Sequence, residues 1–253
     1  LRLGIRRGDN IAIVMPNDPA WLYSFFAAAK IGAGLVALNV RYRAAEFEYM
    51  LNNAEVKLLI CVREFAGFDY YEFFAGFRQR VPVVRHFVFT DVGDDGALSF
   101  DSLLDAPDPE RLEMAAKGVR PNDTLVIIYT SGTTGRPKGA MITHRSMLAS
   151  ARAQAVHIGA RPEDVVIGSL PLNHVGGLTC GVATMLVADG SVALVPYFRP
   201  DLVVEAVRRH RVTIFAGVPT MYHMVFGYPG FSPADFSSVR LCIVGGSSVE
   251  PRL

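Results

Sequence analysis

The stretch LVIIYTSGTTGRPKG, at positions 125–139, joins an apolar run to a polar, glycine-rich one. Residues 125–128 are apolar, as expected of a buried strand. Residues 129–139 contain three glycines, four serine or threonine hydroxyls and one lysine, and a helix-like pattern begins near Thr143. The order of strand, glycine-rich loop and helix is typical of an α/β fold.

Apolar strand-like runs alternate with amphipathic helical stretches along the rest of the chain. Nine strands are predicted, at residues 11–15, 35–38, 56–62, 83–89, 125–129, 165–168, 192–195, 212–215 and 241–244. Six helices are predicted, at residues 19–31, 44–53, 70–80, 145–157, 200–210 and 219–226. Strands that are apolar throughout indicate parallel sheets with helices on both faces. Nine strands suffice for one wide sheet or two smaller ones, and we expect two parallel sheets flanked by helices.

The polar residues 91–120, rich in Asp, Pro and Gly, are predicted to connect two lobes at 1–90 and 121–253. The chain begins with Leu1 and ends in a stretch that resembles the start of a helix. From these two ends we expect a fragment of a longer protein.

Composition excludes several classes of function. Twenty-five basic and twenty-four acidic side chains leave a formal net charge of +1, so no global field favours nucleic acid or an anionic membrane. No apolar run approaches the roughly 18 residues of a membrane-spanning helix. Cys61, Cys180 and Cys242 are widely spaced in apolar surroundings, which indicates buried free thiols rather than disulfides or a metal site. These features predict a cytoplasmic protein.

The glycine-rich loop has the composition of a phosphate-binding element. Backbone N–H groups of such a loop form an anion-binding concavity. Further hydrogen bonds are available from the hydroxyls of Thr130, Ser131, Thr133 and Thr134, and Lys138 adds a full positive charge. The spacing differs from the G-x-x-x-x-G-K-[ST] pattern of P-loop phosphotransferases, so that class is disfavoured.

Five segments resemble the adenylate-forming, or AMP-binding, superfamily of acyl-CoA synthetases, luciferases and peptide-synthetase adenylation domains. YTSGTTGRPKGAMITH (129–144) is similar to its phosphate-binding signature. The other segments are GDNIAIVMPNDPAWLYSFFAAAKIGAGLVALN (8–39), LPLNHVGGL (170–178), FAGVPTMY (215–222) and IVGGSSVEPRL (243–253). The resemblance implies a truncated large N-terminal domain, without the small C-terminal domain that carries the adenylation lysine.

The resemblance also implies a reaction and its participants. A carboxylic acid attacks the α-phosphate of ATP, with Mg²⁺ present, and CoA then displaces AMP from the acyl-adenylate. The resemblance implies catalytic roles for Lys138 and His174. It implies nucleotide contacts by Thr130, Ser131, Gly132, Thr133, Thr134, Gly135, Lys138, Gly245, Gly246 and Ser247. The acyl group is expected near His174, Gly176, Cys180, Val218, Thr220 and Tyr222, although core packing explains the last three equally well.

The substrate prediction rests on the absence of acidic side chains from one segment of the sequence. Between Ser169 and Gly181 there is no acidic residue to hold an amino acid's ammonium group, and the segment offers the small or apolar residues Leu172, Val175, Gly176, Gly177, Leu178 and Cys180. A fatty or aryl carboxylic acid is therefore expected as the substrate of an acyl-CoA synthetase. We expect the fragment alone to be inactive, and a non-catalytic nucleotide-binding or interaction module is the alternative.

Overall fold

A computed structural model describes residues 1–91, 98–104, 108–130 and 136–249. Residues 131–135 and most of the acidic turn at 91–96 lie outside these ranges. The chain forms two compact units, Leu1–Arg145 and Ser146–Leu253. Among the described residues, none of the helices has the length and apolar character that crossing a membrane requires.

The first unit is built on a sheet of seven strands in the order β7-β6-β3-β1-β2-β8-β9. Its strands are β1 (Asn10–Val14), β2 (Gly34–Leu38), β3 (Val56–Cys61), β6 (His86–Phe89), β7 (Leu98–Ser99), β8 (Thr124–Thr130) and β9 (Lys138–Thr143), while β4 (Glu64–Phe65) and β5 (Phe68–Asp69) form a separate small hairpin. Its helices are α1 (Pro19–Ile31), α2 (Ala44–Asn53), α3 (Tyr70–Phe77) and α4 (Pro109–Gly118). Neighbouring strands of the large sheet are parallel except β8 and β9.

Local sequence explains where α1, which covers one face of this sheet, begins and ends. Asp18 caps the helix by accepting a hydrogen bond of 2.7 Å from the Ala20 backbone N–H, and Pro19 stands at the first helical position. Gly32 ends the helix in the left-handed conformation, with φ 72°. The other face packs against α2 and α3 through Phe47, Tyr70 and Phe74, which are fully buried.

The second unit contains a parallel sheet of four strands in the order β11-β10-β12-β13. The strands are β10 (Val165–Gly168), β11 (Ser191–Leu194), β12 (Ile214–Gly217) and β13 (Leu241–Val244). The helices are α6 (Thr184–Val187), α7 (Pro200–His210) and α8 (Pro219–Phe226), and α5 (His144–His157) begins at the end of the first unit. A π-helix, Gly176–Ala183, runs directly into α6. Buried apolar clusters lie on both faces of the sheet.

The predicted fold class is confirmed. Each of the nine predicted strands and six predicted helices is present, with ends that differ by three residues or fewer, and the strands form two parallel sheets flanked by helices. Sequence reasoning missed several short elements, namely β4, β5, β7, α6 and the π-helix, and also the longer elements α4 and β9. No residue of α4 is buried and four residues of β9 are exposed, so neither has an apolar face that a pattern could show.

The division between the units differs from the predicted one. Residues 91–120 were expected to link two lobes, but β8 returns to the first sheet, where Leu35 pairs with Val126. The boundary instead falls between Arg145 and Ser146. Pairing between strands about 90 residues apart leaves no mark on local composition.

The prediction of three buried thiols is correct for one of them. All three cysteines are free, and Cys61 is buried, but Cys180 and Cys242 are exposed. Cys242 lies on β13, which stands at the end of its sheet, so the apolar neighbours of this residue in sequence do not enclose it. An apolar sequence context was therefore an insufficient guide to burial.

Candidate functional site

The strands before and after the glycine-rich segment, β8 and β9, pair as an antiparallel hairpin. Thr130, the last residue of β8, pairs with Lys138, the first residue of β9, and Tyr129 pairs with Gly139. The expected order of strand, loop and helix is wrong, because β9 stands between the loop and α5. No helix begins where the loop ends, so an anion bound there would depend on the loop's own N–H groups and side chains.

The predicted phosphate ligands fall into two groups. Ser131, Gly132, Thr133, Thr134 and Gly135 lie outside the described residues. Thr130 and Lys138 are described, and both are exposed at the paired ends of the hairpin. None of the ion pairs formed within the described ranges includes Lys138. Among the described residues, its positive charge therefore has no acidic partner.

Helix α2 contacts the chain on both sides of the glycine-rich segment. On one side, the Tyr129 hydroxyl donates to Asn53 Oδ1 at 2.7 Å, and the Met50 carbonyl oxygen is 3.3 Å away. On the other side, the Tyr49 hydroxyl donates to the Pro137 carbonyl at 3.1 Å. Sequence reasoning missed Tyr49 and Asn53, because no local pattern connects them to residues about 80 positions away.

The two tyrosines and Gly139 pack together. The Tyr49 and Tyr129 rings meet edge to face with their centres 6.3 Å apart, and the Arg136 guanidinium carbon is 5.9 Å from the centre of the Tyr49 ring. A Cβ atom on Gly139 would lie 2.9 Å from Ile127 Cγ2 and 3.4 Å from the Tyr129 ring. Glycine therefore allows β9 to pass close to Tyr129. Burial and the neighbouring Tyr49 raise the pKa of Tyr129 to about 12.

His174 lies in a turn that follows β10 and precedes the π-helix. Its side chain is exposed, and its Nδ1 accepts a hydrogen bond of 3.0 Å from the Gly176 backbone N–H. An accepting Nδ1 carries no proton, so the neutral ring holds its proton on Nε2. The turn thus presents His174 as a donor through Nε2.

Two features surround this turn. A Cβ atom on Gly177 would lie 2.3 Å from the Pro171 carbonyl oxygen and 2.6 Å from that of Leu170, so a glycine is required for the close packing there. The buried Ser169 Oγ has no hydrogen-bond partner among the described residues. π-Helices such as Gly176–Ala183 are rare and occur frequently at functional sites.

The residues predicted around the acyl group divide between surface and core. Cys180 and Val175 are exposed and Gly176 is half-buried, whereas Leu172, Gly177 and Leu178 are buried. The two buried leucines therefore belong to the packed core beneath the turn and do not line an exposed acyl-binding surface.

On α8, Thr220 is exposed and Tyr222 is buried, and Val218, which immediately precedes the helix, is half-buried. The Tyr222 hydroxyl lies 2.7 Å from the Phe215 carbonyl oxygen and 3.0 Å from that of Ile243. These contacts connect the helix with β12 and β13. Of the two alternatives left open for Tyr222, the structure supports core packing.

The loop after β13 contains the last predicted nucleotide contacts. Gly245, Gly246 and Ser247 are exposed. Gly246 has a φ of 87°, a left-handed conformation that favours glycine. Gly245 has no atom within 4 Å of a Cβ position, so packing within the described part of the chain does not require glycine there.

A cavity of about 620 Å³ in the first unit lies apart from these residues. Ile11, Leu58 and Ile60 line it, whereas the alternate strand residues Ala12 and Leu59 belong to the core beneath Tyr129. Since side chains alternate along a strand, the cavity is on the opposite face of the sheet from Tyr129. It contains none of the predicted site residues.

The described residues include no group of three or more His, Cys, Asp or Glu side chains that could hold a metal ion. The Mg²⁺ implied by the resemblance therefore has no cluster of three or more such ligands among the described residues. Mg²⁺ is commonly held by substrate phosphates, waters and one or two carboxylates.

The two helix-flanked sheets define the class of this protein as an α/β fold. A profile of the family described as "AMP-binding enzyme" matches residues 1–253, and the chain belongs to this family.

Two similar proteins are a CoA synthase and a CoA ligase. The chain is 34% identical over 250 residues to a feruloyl-CoA synthase of Amycolatopsis sp, covering 99% of this chain and 46% of the relative. It is 30% identical over 275 residues to the mitochondrial medium-chain acyl-CoA ligase ACSF2 of Bos taurus, covering 100% of this chain and 45% of the relative. The chain thus spans about half the length of the curated relatives that it matches.

A solved structure agrees with the fold. The anthranilate CoA ligase AuaEII, in complex with anthranoyl-AMP, superposes with a TM-score of 0.83 at 27% identity. The match covers 96% of this chain and 46% of that protein. The prediction of an adenylate-forming N-terminal domain fold is therefore confirmed, while the roles of the individual site residues remain predictions.

Proposed function

We propose that this chain forms the nucleotide- and acyl-binding part of an ATP-dependent carboxylate–CoA ligase. The observation that carries the proposal is the β8–β9 hairpin, which presents Thr130 and the available charge of Lys138 on either side of a glycine- and hydroxyl-rich segment. Membership of the AMP-binding enzyme family supports a nucleotide as the ligand.

The proposed reaction has two steps. A carboxylate oxygen attacks the α-phosphorus of ATP, an acyl–phosphate anhydride bond forms, and pyrophosphate leaves. The thiolate of CoA then attacks the acyl carbon, a thioester forms, and AMP leaves with the electron pair of the broken bond. The first step gathers several negative charges, so the enzyme needs cationic and N–H donors where that charge develops.

The predicted nucleotide contacts and His174 each have a role in this scheme. Residues 130–135 hold the β- and γ-phosphates, and Lys138 stabilises the departing pyrophosphate. His174 donates its Nε2 proton in a hydrogen bond to a carboxylate oxygen of the acid, because Nδ1 is occupied by the Gly176 N–H. Gly245, Gly246 and Ser247 allow the nucleotide and acyl group to approach the backbone after β13. Mg²⁺, if bound to the phosphates, supplies further positive charge.

The acid is proposed to be a fatty or aryl carboxylic acid. Supporting this, the segment from Ser169 to Gly181 has no acidic residue that would pair with a substrate ammonium, and Val175 and Cys180 are exposed there. The named relatives act in the same substrate range, as a feruloyl-CoA synthase and a medium-chain acyl-CoA ligase.

ATP–pyrophosphate exchange by the full-length protein tests the proposal. Fatty acids, aromatic acids and the amino acids are compared at equal concentration, followed by a CoA-dependent assay with the best acid. We expect a fatty or aromatic acid to give the highest kcat/KM. A preference for an amino acid would overturn the substrate class, and the absence of exchange with all acids would overturn the reaction.

A second candidate is a nucleotide-binding module without catalysis. It is favoured by one observation, that the chain spans about half the length of its relatives. We expect residues 1–253 alone to bind nucleotide without making acyl-CoA. Pyrophosphate release by this chain with ATP, Mg²⁺ and an apolar acid would exclude this alternative.

A further inference from the structure

One face of α2 contacts both ends of the glycine-rich hairpin. Tyr49 and Asn53 are four residues apart on the helix, and side chains at this spacing lie on the same face. Tyr49 reaches the Pro137 carbonyl, after the glycine-rich segment, and Asn53 accepts from Tyr129, before it. We call the set Tyr49, Asn53, Tyr129, Pro137 and Gly139 the hairpin clamp.

The clamp holds the two sides of the hairpin differently. Tyr129 is buried, and its hydroxyl connects the end of β8 to the last turn of α2. Tyr49 contacts the segment before β9 through one hydrogen bond and through the Arg136 guanidinium above its ring. Gly139 leaves the space that brings β9 against Tyr129. The spacing between the hairpin's two ends is therefore set by α2 as well as by the pairing of β8 with β9.

We propose that this clamp positions the glycine-rich segment for nucleotide phosphates and that Tyr49 and Tyr129 are positioning residues for nucleotide binding. The inference rests on the proposed function for the phosphate contacts. A loop that must present several N–H groups to one anion gains affinity when its ends are held in the bound arrangement beforehand. Neither tyrosine needs to contact the nucleotide for this effect.

Conservative substitutions separate positioning from general stability. Tyr49→Phe and Tyr129→Phe each remove one hydroxyl and keep the ring. Tyr70→Phe is the matched control, because the Tyr70 hydroxyl also donates to a backbone carbonyl, that of Val40, but Tyr70 lies on α3 and has no part in the clamp. All three variants are made in the full-length protein, and their melting temperatures are compared.

Two measurements test whether the clamp is intact. The first is limited trypsin cleavage after Lys138, with cleavage after Lys117 on α4 as the internal reference. The second is the KM for ATP and the kcat in pyrophosphate exchange. We expect both clamp variants to increase cleavage at Lys138 relative to Lys117 and to raise the KM for ATP about three- to tenfold, the range for one lost neutral hydrogen bond. Tyr70→Phe should lower the melting temperature without either change.

The outcomes distinguish the clamp from the proposed reaction. Unchanged relative cleavage in both clamp variants, or a KM for ATP that changes only as much as in Tyr70→Phe, would overturn the clamp. If the wild-type protein showed no exchange with any acid while cleavage at Lys138 increased selectively, the hold of α2 on the hairpin would stand and the proposed function would fail.

Discussion

Asp164 and Arg240 form a bidentate ion pair at the amino ends of two parallel strands. Arg240 Nε lies 2.7 Å from Asp164 Oδ1, and Arg240 Nη2 bonds Asp164 Oδ2. The Thr213 hydroxyl donates to the same carboxylate at 2.7 Å, as does the Arg161 backbone N–H at 2.8 Å. Because Asp164, Thr213 and Arg240 immediately precede β10, β12 and β13, this buried carboxylate connects three of the four strands of the second sheet.

Removing the charge of Asp164 should destabilise the second unit. Asp164→Asn leaves Arg240 without its carboxylate, and breaking a buried pair typically costs about 3–5 kcal/mol. Because Arg240 is partly exposed and regains some hydration, we expect about 2–3 kcal/mol by urea unfolding at pH 7. Asp201→Asn is the matched control, since Asp201 makes a bidentate pair with Arg199 at the surface. Equal effects of the two substitutions would contradict a special role for the buried pair.

The same pair predicts a dependence of stability on pH. The Arg240 guanidinium holds the pKa of Asp164 at about 2, below its ordinary 3.8. A carboxyl group whose pKa is lower in the folded than in the unfolded state stabilises the fold at pH values above the unfolded pKa. That contribution is lost as the pH falls from about 4 toward 2. The difference in unfolding free energy between wild type and Asp164→Asn should shrink by about 2 kcal/mol over this interval. Urea titrations at several pH values measure it, and a constant difference would contradict the assignment.

Two glycines of the π-helix should differ in how well they tolerate substitution by alanine. Gly177→Ala places a Cβ atom 2.3 Å from the Pro171 carbonyl oxygen, a backbone atom that moves only with the turn carrying His174. Overpacking of this kind costs about 1–3 kcal/mol. At Gly181 the nearest atom to a Cβ is 3.7 Å away, so Gly181→Ala should be tolerated. Thermal unfolding of both variants checks this, and equal melting temperatures would show that the turn adapts.

Lys138 should act on the first chemical step. In the full-length protein, Lys138→Ala is expected to slow acyl-adenylate formation about ten- to a hundredfold, as the loss of one charge-assisted contact predicts. Thioester formation from the adenylate should change less, because pyrophosphate has already left. Single-turnover rates separate the steps. Lys117→Ala, on the exposed helix α4, is the control and should leave both rates unchanged.

His174 should be replaced better by glutamine than by asparagine. Glutamine keeps a donor near the position of Nε2, whereas asparagine keeps only an acceptor near Nδ1 for the Gly176 N–H. If donation to the substrate carboxylate is the role of His174, kcat/KM for the acid should be higher in His174→Gln than in His174→Asn. The reverse order in pyrophosphate exchange would indicate that the hydrogen bond to Gly176 is the more important contact.

Much of the fold and part of the site were visible in local patterns. Apolar runs predicted the strands and helices, because this signal acts within a few residues. The glycines and hydroxyls after β8 likewise indicated an anion-binding segment. The hairpin was missed because β9 is largely exposed and shows no buried alternation.

Tertiary structure decided which distant residues meet. The pairing of Leu35 with Val126 placed β8 in the first sheet. The contacts of Tyr49 and Asn53 with the hairpin connected α2 to the strands around the predicted phosphate segment. Asp164 and Arg240 form their ion pair although they are 76 positions apart in the chain. Burial of Tyr222 and exposure of Cys180 and Cys242 were decided in the same way. Conformational preference depends on a residue's neighbours in the chain, whereas burial and pairing depend on its neighbours in space, which local periodicity does not specify.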